Sequence, residues 1–144
     1  MTRAALLIIV LLGASYPSSA LPPTINEATA RELVRDALAS LGQQGTDIGI
    51  GPWLYYWAPD FFTIEAWRPS PTGGAMQTWY FAVNPWTGDV WNAIACTRIT
   101  STTIKRKQEE IWKSSKLPDE ARQFLQARPP ACKPSKPERS PEEK

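Results

Sequence analysis

Apolar residues recur along this chain with two different periods, and the change of period divides it. Ala30, Leu33, Val34, Ala37, Leu38 and Leu41 fall at i, i+3, i+4, i+7, i+8 and i+11, which is one stripe of an amphipathic helix. Pro22 and Pro23 keep the approach extended. Thr24 or Asn26 can cap the helix, Thr24 and Glu27 having the spacing of a capping box, and Gly42 offers a stop. Residues 42–53 are glycine-rich and lose the helical period, so they predict a loop with one short strand near Ile48–Ile50. From Phe61 the period becomes two. Phe61, Thr63, Glu65 and Trp67 share one face of a strand, and Phe62, Ile64, Ala66 and Arg68 share the other.

The runs "QTWYFAV" (77–83) and "DVWNAIAC" (89–96) read as two further strands. Trp79, Phe81 and Val83 share a face, while Tyr80 and Ala82 point away. Between the runs, "NPWTG" has Asn84 and Pro85 to open a turn and Gly88 for its left-handed position. The expected core is therefore an antiparallel meander of three to four strands with the helix covering one face, an α+β fold. Two short helices follow. One spans 101–115 with Ile104, Gln108, Ile111 and Trp112 on one side; the other starts at Pro118 and carries Phe124 and Leu125. The domain is expected to span 21–132, because 133–144 hold three prolines and mixed charge without an apolar anchor.

Residues 1–20 carry the marks of a secretory signal peptide. Arg3 precedes the apolar stretch 4–14, and "SSA" at 18–20 supplies small residues for cleavage near Ala20. That stretch is far shorter than the ~20 residues a spanning helix needs, so no stable membrane anchor is expected after cleavage. The expected location is the periplasm or the extracellular medium, where Cys96 and Cys132 would pair. The chain-entropy account gives such a bridge about 4 kcal/mol. The net charge of +2 hides an asymmetry. Residues 21–97 carry three basic and seven acidic side chains, and 98–144 carry twelve basic and seven acidic. Basic residues interleaved with Glu point to solvated surface rather than to nucleic acid.

Histidine is absent, which removes Ser-His-Asp and Cys-His machinery and the commonest metal ligand. Neither metal nor cofactor is expected. Glu65 with Asp60 or Asp89 is the one carboxylate pairing worth weighing as a hydrolase site. The aromatic residues are the larger anomaly. Twelve lie between Trp53 and Trp91, more than one sheet face against one helix can bury. Trp53, Tyr55, Trp57, Tyr80, Trp86 and Trp91 are the expected binding residues, Trp and Tyr being the usual anchors of interfaces. The first expectation is a non-catalytic protein-binding or inhibitory domain, with another exported protein as partner, for example a cell-wall hydrolase. The alternative is a glycan- or peptidoglycan-binding module in which rings stack on sugars. Either way the C-terminal helices could cover part of the second face.

The helix followed by a meander ending in "YFAVNPWTGDVW" (80–91) resembles a PepSY-type domain, on Val83, Asn84, Thr87, Gly88, Asp89 and Val90. The resemblance spans about residues 24–95 and implies a small helix-on-sheet fold with a role in binding or in inhibiting exported hydrolases. In general plan and compartment the chain is also similar to periplasmic immunity proteins.

Overall fold

At the end of the fourth strand a side chain competes with the backbone for hydrogen bonds, and this sets the strand count. The computed structural model describes residues 21–54, 58 and 60–132. Helix α1 (Glu27–Ser40) precedes β1 (Gly49–Pro52), β2 (Phe62–Arg68), β3 (Gln77–Val83), β4 (Val90–Asn92) and β5 (Thr97–Ile99); α2 (Thr102–Ser114) and α3 (Asp119–Ala127) follow. The strands form one antiparallel sheet in chain order, so the fold is α+β with five strands rather than three to four. The extra strand has a local cause. The expected run 89–96 is cut at Asn92, whose side-chain Oδ1 accepts the N–H groups of Ile94 (3.0 Å) and Ala95 (2.9 Å). Those bonds fold 93–96 into a turn ending at Cys96 with φ +53°, and β5 returns beside β4.

Asn26, not Thr24, caps α1: its Oδ1 accepts the Thr29 N–H at 3.0 Å. Thr24 is engaged elsewhere, its backbone N–H donating to the Pro85 carbonyl at 2.9 Å. The α1 stripe lies over β2, β3 and β4. Ala30, Leu33, Val34, Ala37 and Leu38 are buried against Ile64, Ala66, Phe81, Val83 and Val90, with Ile99, Ile104 and Ile111 closing the cluster. This inner face is aliphatic apart from Phe81 and the partly buried Phe62 and Trp79. Helix α2, capped by Ser101, packs beside α1 through Ile104 and Ile111. It therefore lies on the inner side of the sheet.

The β3–β4 turn is the hub that locks these parts together. Asn84 Oδ1 accepts from the backbone N–H groups of Trp86 (2.9 Å) and Thr87 (3.2 Å), while its Nδ2 donates to the Leu125 carbonyl of α3 at 3.1 Å. Gln108 of α2 donates to the Gly88 carbonyl and to Asp89 Oδ1, both at 3.1 Å. Gly88 has φ +69°, and a Cβ there would stand 2.7 Å from Ile111 Cδ1 and 3.2 Å from Leu33 Cδ1. Glycine is thus required both by backbone conformation and by close approach of two helices.

Helix α3 reaches the other side of the sheet. Arg98 donates to the Gln126 carbonyl, Arg128 pairs with Asp60 at 3.0 Å, and Cys96 and Cys132 are bridged with Cα atoms 5.6 Å apart. The bridge spans 36 residues and returns the end of the domain to the β4–β5 turn. Ala121, Leu125 and Pro130 are buried on the way, whereas Phe124, expected beside Leu125, is exposed. The signal-peptide assignment and the 133–144 tail lie outside the described residues.

Candidate functional site

The outer face of the sheet, opposite α1, collects the residues that alternation turns away from the core. Register places Gly49, Gly51, Thr63, Glu65, Trp67, Thr78, Tyr80, Ala82, Trp91 and Arg98 on it, with Trp53 continuing β1. The Trp53 backbone N–H donates to the Thr63 carbonyl at 3.0 Å, so Trp53 holds strand geometry beyond β1. Its ring then reaches across β2 to Tyr80, with centroids 4.3 Å apart and planes tilted by 35°. Glu65 lies directly opposite Gly51 on one side and Tyr80 on the other.

Trp67 has space because β1 has glycines opposite it. A Cβ on Gly49 would overlap its indole, and one on Gly51 would stand 3.3 Å from its six-membered ring. The indole therefore lies flat over two backbone positions and beside Glu65. At the β4–β5 side the Arg98 guanidinium sits 5.3 Å from the Trp91 ring, a cation–π arrangement. Trp53, Glu65, Trp67, Tyr80 and Trp91 are all half-buried, while Ala82 between them is fully buried. Leu54 at 82% exposure, together with Met76 and Ile94, adds exposed apolar side chains in the neighbouring loops. The face is thus a pre-formed aromatic surface, rigid where the sheet holds it and partly covered at the α3 side.

Of the expected binding residues, the structure brings Trp53, Tyr80 and Trp91 to this face. Tyr55 and Trp57 lie outside the described residues. Trp86, also expected as a binding residue, is instead buried, with 4% exposure. The approach to α1 folds back over it, and its indole N–H donates to the Leu21 and Pro22 carbonyls at 3.1 Å each. A tryptophan at a turn tip is exposed only when no other segment crosses the tip, and here residues 21–25 do. Trp67 shares this face although it is not among the expected binding residues. The signal for it was present in the G-x-G of β1, two alternate positions without side chains on one face of a strand.

The three carboxylates weighed for hydrolysis have separate tasks. Asp89 is buried, accepting the Thr87 hydroxyl at 2.7 Å and the Gln108 amide, with Arg98 3.8 Å away. Burial raises its pKa above the ordinary 3.8, opposed in part by the Thr87 hydrogen bond and by the charges of Arg98 and Arg122. Asp60 pairs with Arg128. Glu65 stands on the outer face. Among the described residues no group of three or more Cys, Asp or Glu side chains is arranged to hold a metal ion.

No protein-family model matches the chain, the PepSY type included, and no curated protein matches it by sequence. Its fold is similar to a chain in the structure of a type VI secretion system effector-immunity complex from Pseudomonas protegens. The TM-score is 0.58 at 19% identity, covering 72% of this chain and 87% of that one. At that identity the likeness is one of fold.

Proposed function

We propose that this chain is an exported, non-catalytic protein-binding domain of the immunity or inhibitor type. It acts in the periplasm after removal of residues 1–20 and docks its partner on the outer face of the sheet. The observation that carries the reading is the half-buried aromatic face of Trp53, Trp67, Tyr80 and Trp91 on a sheet whose other face packs against α1 and α2. Rigid aromatic side chains give large contact area at small entropic cost, which suits interface anchors.

Three further features support it. The fold resembles a chain of an effector-immunity complex. The Cys96–Cys132 bridge suits an oxidising compartment. Trp53 and Tyr80 stack on one another, an arrangement better suited to a protein surface than to a sugar platform of coplanar rings side by side. The expected partner is another exported protein, a cell-wall hydrolase being one candidate.

The test is affinity capture from periplasmic extract with the wild type and with Trp53→Ala and Tyr80→Ala. A partner held by the wild type and lost in both variants is the expected result. Capture indifferent to both, or no partner at all, overturns the reading. N-terminal sequencing of the periplasmic form should begin at Leu21.

A further inference from the structure

We infer that the outer face receives a basic side chain of the partner, an Arg or Lys whose cation seats on Glu65 between the aromatic rings; this rests on the protein-binding reading above. Glu65 occupies the centre of that face, with Gly51 and the overlying Trp67 ring on one flank and Tyr80, stacked with Trp53, on the other. Glu65 is half-buried, and its carboxylate makes no hydrogen bond or ion pair among the described residues. The cations of the sheet are engaged elsewhere. Arg68 projects from the inner face to Asp47 (2.9 Å) and Gln43 (3.0 Å), and Arg98 is three strands away with Asp89, Gln126 and Trp91.

An ionised carboxylate only accepts hydrogen bonds, and ring faces attract cations. Carboxylate and rings together select a guanidinium or ammonium group. An apolar partner surface would instead bury Glu65 as an uncompensated charge, which is strongly disfavoured. The acidic excess of residues 21–97 adds attraction of the same sign at longer range.

The experiment needs no identified partner. The peptide acetyl-Gly-Arg-Gly-amide is titrated into the folded protein, with the Gln peptide of the same length as control, while indole N–H resonances of Trp53 and Trp67 are followed by NMR. Expected are saturable shifts with the Arg peptide alone, and binding about two- to fivefold weaker in Glu65→Gln at low salt, the scale of one partly exposed charge pair. Equal shifts from the Gln peptide, or Arg binding unchanged in Glu65→Gln, would overturn the inference. The contrast between peptides is read on the wild type, so it stands even if the variant folds poorly. Partner capture that depends on Tyr80, combined with no Arg preference, removes the cation site and leaves the binding face. Glu65-dependent Arg binding without a captured partner does the reverse.

Discussion

The two faces of the one sheet use different residues for different ends. On the inner face Ile64, Ala66, Phe81, Val83 and Val90 meet the Leu, Val and Ala side chains of α1 and are essentially without solvent contact. On the outer face Trp53, Trp67, Tyr80 and Trp91 stay half-buried, and the only fully buried side chain among their sheet neighbours is the small Ala82. Aliphatic side chains interdigitate with a helix stripe at crystal-like density. Broad rings lie flat on a sheet and leave one side for another molecule. Stability should therefore concentrate on the inner face and in the turn that joins it to the helices, and recognition on the outer one.

Neighbours on β3 give the strongest way to break that contrast. Phe81→Ala should lose about 3–5 kcal/mol in chemical denaturation, as expected for a buried Phe in a closed core. A loss as small as that of Tyr80→Ala would show that the inner face is not the stabilising one. Gly88→Ala comes next, at roughly 2–4 kcal/mol, because it adds a left-handed backbone penalty to overlap with Ile111 and Leu33. The midpoint of urea denaturation reads it directly. Replacing both cysteines by Ser should cost about 2–4 kcal/mol and loosen the α3 side first, which hydrogen exchange at 117–128 would detect.

Asp89→Asn sharpens the comparison through pH. The native carboxyl has a raised pKa because it is buried, so the unfolded chain ionises first as pH rises. The contribution of Asp89 is whole below 3.8 and is lost as pH climbs through the folded value. The wild type should exceed Asp89→Asn by roughly 1–3 kcal/mol at the acid end, where the hydrogen bonds of the neutral acid are kept. The gap should narrow toward neutrality. A gap that widens instead would mean that attraction to Arg98 and Arg122 outweighs desolvation. Smallest of all, Glu65→Gln should change stability by less than about 0.5 kcal/mol, as expected for a substitution outside the core, and thermal unfolding in parallel with the peptide titration checks it.

Much of the inner face was legible in the hydrophobic pattern. The six-residue stripe predicted α1, and only Leu41 at its end turns out exposed. Alternation assigned both faces of β2 and β3 correctly, since period two leaves no other choice for a strand with one buried side. The "NPWTG" turn was readable from residue chemistry, down to the left-handed Gly88. The break at Asn92 was not, because a carboxamide capturing two N–H groups looks the same in sequence as one pointing to water. Trp86 was misplaced for a similar reason: its cover, residues 21–25, is about sixty positions away in the chain.

The sequence by itself determined the periods, and therefore the elements, which side of each strand is apolar, and where the chain must turn. These are short-range consequences of backbone geometry and side-chain type. Only the tertiary structure decided which aromatic residues are core and which remain at the surface, because burial depends on what crosses a residue from elsewhere in the chain. The approach to α1 seals Trp86, while two glycines in β1 open room for Trp67 and leave Glu65 among rings without a charge to meet.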